Sequence, residues 1–105
     1  MIRITEILDK LYDYYPDADV DIIDRAYIYS AQVHAGQVRL SGEPYLSHPL
    51  EVANLLADMK LDPVSIAAGL LHDVVEDTHS SIEEISDIFG KEVAHIVSGV
   101  TKISV

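Results

Sequence analysis

Leu70-Leu71-His72-Asp73-Val74-Val75-Glu76-Asp77 sets an imidazole and three carboxylates into the most apolar stretch of the chain. Upstream, Ile66, Ala67 and Ala68 continue the apolar run. Before them Asp62-Pro63 is a helix start signal, with proline at the first helical position, where a missing N–H is harmless. The spacing predicts a fourth helix that is apolar nearly all round and therefore central. On one continuous helix His72 lies four residues before Glu76, and Asp73 four before Asp77, so the two pairs stack as neighbouring columns. Crowded carboxylates raise one another's pKa unless a cation neutralises them, and a divalent ion held by His and Asp is one resolution. The other is a solvated acidic stripe near a helix C-terminus, an arrangement the helix dipole disfavours.

Outward from this stretch, apolar residues recur at helical spacing almost throughout. Ile4, Ile7, Leu8, Leu11 and Tyr15 share one face before Pro16, which predicts a first helix. A second runs from near Val20 to Gly36, with His34 at its C-terminal end in a structural role. Residues 37–47, with Gly42 and Pro44, read as a loop. Pro49 fits the first position of a third helix, with His48 as its N-cap and Val52, Leu55, Leu56 and Met59 as its buried stripe. The short Lys60-Leu61-Asp62 connection allows the third and fourth helices to pack antiparallel without enforcing it, so whether His48 meets His72 stays open. Ser80 with Glu83 reads as a capping box for a fifth helix carrying Ile82, Ile85 and Phe89 and stopped by Gly90. A sixth follows on Val93, Ile96, Val97 and Val100. With no alternating strand pattern, the expected fold is an all-α bundle of about six helices.

Composition narrows the function. The 105 residues, 49% hydrophobic, suffice for one modest core. Eighteen acidic against seven basic residues give a net charge of −11, which argues against a broad grip on nucleic acid or an anionic membrane. A polyanionic substrate would have to be recruited by a metal or a few placed cations. Without cysteine, any metal site must use histidine and carboxylate. No basic-then-apolar leader and no bilayer-length apolar run is visible, which suits the cytoplasm. Arg39 and Ser41, near the flexible Gly42, could meet phosphate or a base; a surface arginine balancing nearby acids is the plainer reading. His79 and His95 read as solvated, and Tyr12, Tyr14, Tyr15, Tyr27 and Tyr29 as core and rim aromatics.

His34-Ala35-Gly36-Gln37, Arg39, Ser41-Gly42-Glu43-Pro44-Tyr45, His48-Pro49 and Gly69 to Thr78 occur together and in order, followed by Phe89-Gly90-Lys91-Glu92-Val93 and Gly99-Val100-Thr101-Lys102. In this combination the chain resembles the bacterial alarmone (guanosine tetra/pentaphosphate) synthetase/hydrolase family, in its N-terminal HD hydrolase domain. The resemblance implies an all-helical HD domain that removes pyrophosphate from the ribose 3′ position of the alarmone, with manganese, as part of the stringent response. By position it implies His48, His72 and Asp73 as metal ligands, Glu76 and Asp77 as the catalytic acidic pair, and Arg39 and Ser41 as nucleotide contacts. The family pattern also has a fourth ligand, an aspartate, beyond the position of Val105. Residues 1–105 are therefore expected to be part of an HD domain, weakly active or inactive alone, lacking the synthetase domain and self-associating as a homo-oligomer to cover an apolar face. Two alternatives stand beside this reading: an HD phosphohydrolase acting on another nucleotide, and a non-catalytic helical regulatory or binding module.

Overall fold

The structure is a computed structural model that describes residues 2–37, 42 and 44–103, with side chains as far as residue 100. Its helices are α1 (Ile4–Tyr14), α2 (Asp21–Val33), α3 (Ser47–Asp58), α4 (Pro63–Leu71), α5 (Val74–Asp77), α6 (Ile82–Phe89) and α7 (Lys91–Ile103), with no strand among the described residues. The all-α class is as expected. The predicted fourth helix, however, is two: it breaks at His72-Asp73, where Asp73 has φ −94° and ψ −4°, and resumes as the four-residue α5.

α4 is the hub, in contact with α2, α3 and α7. Every residue from Ile66 to Leu71 is buried, as expected of a helix that is apolar on all sides. Small residues let its neighbours approach. A Cβ added at Gly69 would lie 2.6 Å from Leu56 Cδ1 and 3.7 Å from the Ala53 Cα, so α3 and α4 cross closely at this glycine.

Three local readings are corrected. α3 starts at Ser47 with Leu46 as its N-cap, so His48 lies inside the first turn and Pro49 one position further. The proline is still harmless there, because first-turn N–H groups have no intrahelical partner. Of the predicted stripe, Val52 and Leu56 are partly buried and meet α4 at Gly69, but Leu55 and Met59 are 58% and 60% exposed, and the buried apolar residues are Leu50, Ala53 and Ala57. The alanine face wins because it permits the close crossing at Gly69. The cap of α6 is Ser81, whose Oγ accepts from the Glu84 N–H at 3.2 Å, one residue later than predicted. Ser80 is engaged instead with the Tyr29 hydroxyl at 2.8 Å.

The turn between α3 and α4 is a Schellman motif. Leu61 N–H donates to the Leu56 carbonyl at 3.1 Å and Lys60 N–H to the Ala57 carbonyl at 3.0 Å, with Lys60 in the left-handed region at φ 61°. α1 braces this hairpin: Lys10 Nζ donates to Asn54 Oδ1 and Asp58 Oδ1 at 2.8 Å each, and the Tyr14 hydroxyl donates to the Leu61 carbonyl at 2.6 Å. On the other side Phe89 receives the edge of Tyr29 at 5.5 Å and the Arg25 guanidinium at 5.6 Å, which ties α2 to α6.

Substitutions at Gly69 test the close crossing. Gly69→Val should destabilise the fold by about 1–3 kcal/mol through overpacking. Gly69→Ala should be nearly neutral, since the clash is with a movable leucine methyl and alanine gains up to ~1 kcal/mol of helix propensity. Urea melts of the two variants measure both effects, and equal losses would contradict the crossing described.

Candidate metal centre

His48 and His72 stand twelve residues on either side of Lys60. In an antiparallel hairpin that turns at Lys60, equal distances along the two arms return to the same level, so both histidines reach the open end together. The structure places them there with ring centroids 5.1 Å apart and their Nε2 atoms at 3.2 Å. Asp73 completes the group: its Oδ1 is 3.1 Å from His72 Nε2 and its Oδ2 3.4 Å from His48 Nε2. One donor atom from each of the three residues lies within 4.8 Å of the others, and all three residues are partly buried.

The chemistry of this donor set calls for a cation. His72 Nδ1 lies 2.6 Å from the Gly69 carbonyl, which can only accept, so Nδ1 carries the proton and Nε2 is left with its lone pair. That lone pair then faces the Asp73 carboxylate at 3.1 Å, two acceptors pointing at one another, with the His48 Nε2 atom beside them at 3.2 Å. A proton relieves this only in part. Burial opposes charge on His72, yet its hydrogen bonds to Asp73 and the Gly69 carbonyl, with the charges of Asp73 and Asp77, raise its pKa above the ordinary 6.5. For Asp73 burial pushes the other way, but the hydrogen bond to His72 and the charges of His72, His48 and His34 lower its pKa below the ordinary 3.8. A divalent ion would satisfy all three donors, and an imidazole whose far nitrogen is held by a backbone carbonyl is the usual preparation of a ligand.

His72 ends α4 and Asp73 precedes α5, and the two adjacent side chains meet at one point. Glu76 and Asp77 do not join the cluster. They are exposed and line a separate cleft of about 740 Å³, whose walls also include Tyr29, Val33 and Gln37 from the α2 side and Ser80 and Glu84 beyond α5. Arg39 and Ser41 lie outside the described residues. His79 and His95 are exposed, and His34 is 4% exposed and stacked on Tyr45. Two contributors carried no chemical signal in sequence. Gly69 acts through its carbonyl, and Gln37 through a long-range contact of its side-chain amide with the Asp77 carbonyl.

Comparison with known proteins adds to this geometry. A family profile described as HD domain matches residues 26–105. The chain is 63% identical over 91 residues, 87% of its length, to a GTP pyrophosphokinase of Myxococcus xanthus. It is 46% identical over 103 residues, 98% of its length, to the GTP pyrophosphokinase rsh of Brucella ovis. It is also 46% identical over 99 residues, 93% of its length, to the bifunctional (p)ppGpp synthase/hydrolase SpoT of Escherichia coli. These matches span only 12% to 14% of the relatives' own lengths.

The histidine–aspartate pairing has a pH signature in metal-free protein. Because the folded pKa of His72 is raised, its contribution is fully present below 6.5 and is lost as pH rises through the folded value. Because that of Asp73 is lowered, its contribution is present above 3.8 and is lost as pH falls through the folded value. With a chelator present, the urea midpoint should fall as pH rises above 6.5, and Asp73→Asn should flatten that fall. The same slope in parent and variant would contradict the pairing.

Proposed function

This chain belongs to the HD domain family, in the form carried by the (p)ppGpp synthase/hydrolase relatives, and from that premise we propose that it is a metal-dependent phosphohydrolase. Its substrate in this reading is guanosine tetra- or pentaphosphate, from which it removes pyrophosphate at the ribose 3′ position to leave GDP or GTP, as part of the stringent response. The observation that carries the reading is the convergence of His48, His72 and Asp73 within 4.8 Å. The name of the Escherichia coli relative supports the choice of substrate and of hydrolysis.

His48, His72 and Asp73 would hold the ion, for which manganese is our choice, since imidazole and carboxylate suit a borderline or hard divalent metal. When bound, the ion supplies concentrated positive charge for an anionic phosphate, which a chain of net charge −11 otherwise lacks. The protein groups do the rest. Gly69 keeps His72 in the tautomer that presents Nε2. Glu76 and Asp77, side by side on the cleft wall, orient the attacking water and take its proton, while the departing 3′ oxygen gains one. Arg39 and Ser41 contact the nucleotide in this reading, on the strength of the resemblance alone. Three protein donors leave coordination positions on the ion open to water and substrate.

Self-association is part of the same reading. Leu55 and Met59, one turn apart on α3, are both more than half exposed. Sedimentation over a dilution series should show a concentration-dependent oligomer, and a monomer at every concentration would remove that element.

Manganese binding followed by electron paramagnetic resonance, together with hydrolysis of labelled guanosine tetraphosphate, tests the function. His72→Ala and Asp73→Asn should weaken manganese binding at least about tenfold. Glu76→Gln and Asp77→Asn should retain the metal and slow turnover by about a hundredfold or more. A chain that takes up no manganese even in excess would point to a binding module. Faster turnover of an unrelated nucleotide would reassign the substrate.

A further inference from the structure

Gln37 belongs neither to the metal cluster nor to the acidic pair, yet three segments of the site meet at it. Its N–H donates to the His34 carbonyl at 2.9 Å, closing the turn that ends α2, and its own carbonyl accepts from the Tyr45 N–H at 3.4 Å. Tyr45 lies three residues before His48, so this contact ties the end of α2 to the chain entering α3. The side chain reaches the third segment: Nε2 donates to the Asp77 carbonyl at 3.4 Å, while Oε1 lies 3.2 Å from His34 Nδ1.

The amide orientation follows from chemistry. A backbone carbonyl only accepts, so Nε2 must face Asp77. Oε1 then faces the imidazole, which must carry its proton on Nδ1. His34 is itself immobilised, 4% exposed and stacked on the Tyr45 ring at 4.6 Å with an interplanar angle of 17°. The amide is thus held from behind by a buried ring and offers its donor forward to the end of α5.

That end needs holding. α5 has four residues, too few for a helix to stand on its own propensity. Glu76 and Asp77 crowd its C-terminal end, where the helix dipole disfavours negative charge. A neutral donor on the Asp77 carbonyl opposes fraying without adding charge beside the carboxylates.

We propose that Gln37, oriented by His34, is a positioning residue that bridges α2, the entry to α3 and the end of α5, and so sets where Glu76 and Asp77 stand relative to His48, His72 and Asp73. The inference rests on the role given to the acidic pair above. It separates two functions in the fold: the α3–α4 hairpin sets the metal donors, and the Gln37 bridge sets the carboxylates.

Two variants of the chain dissect the bridge. Gln37→Met keeps the side-chain length and loses both bonds. Gln37→Glu can still accept from His34 but cannot donate to Asp77. Amide exchange by NMR reads the bridge without any need for activity. In both variants the Asp77 and Thr78 amides should exchange about tenfold faster, while Ile66 and Ala94 are unchanged. Manganese affinity should stay within about threefold of the parent, and kcat on guanosine tetraphosphate should fall about 10- to 100-fold with KM little changed. Unchanged exchange at Asp77 and Thr78 in Gln37→Met overturns the proposal, as does parental kcat in either variant. A kcat loss that merely follows a loss of manganese binding overturns it too. A parent that binds manganese and turns nothing over fits a partial domain, and the exchange data alone then judge the bridge.

Discussion

The meeting of His48 with His72 and Asp73 depends on the close antiparallel crossing of α3 and α4. Gly69 removes the Cβ that would otherwise press on Leu56, and Ala53 and Ala57 keep the facing side of α3 shallow. The Schellman turn at Lys60 then fixes where the two arms begin. Given the pitch of an α-helix, the separation of His48 and His72 at the far end is a consequence of that turn and that crossing. Gly69 contributes twice, since its carbonyl also holds the His72 ring in the tautomer that leaves Nε2 free.

The site is electrostatically incomplete by construction. Two imidazole nitrogens and a carboxylate converge in a partly buried place, and the raised pKa of His72 with the lowered pKa of Asp73 records their pairing in the absence of an ion. The break between α4 and α5 belongs to the same arrangement. Regular helix is interrupted at His72-Asp73, where the two adjacent side chains meet.

Excess negative charge, which by itself repels a polyphosphate, is consistent with a hydrolase when it is distributed as it is here. One carboxylate stands with the two imidazoles, where a metal would reverse the local sign. Two others stand apart on the wall of an open cleft, exposed and next to hydroxyl and amide groups.

The helical class, the central place of the most apolar segment and the presence of candidate ligands His72 and Asp73 in it were legible in the chain, because burial periodicity and residue chemistry are local properties. The resemblance in the motifs around His48 and from Gly69 to Thr78 pointed the same way. Whether His48 meets His72 was not legible, because a connection such as Lys60-Leu61-Asp62 permits several crossings and only packing at Gly69 selects one. Nor was the break at His72-Asp73, since an unbroken helix fits the same pattern of apolar residues. The choice of Ser81 over Ser80 as a cap, the burial of the alanine face of α3 and the reach of Gln37 to Asp77 were likewise decided by tertiary structure. Each is a contact between residues distant in sequence, or a choice between equivalent local options that only such contacts resolve.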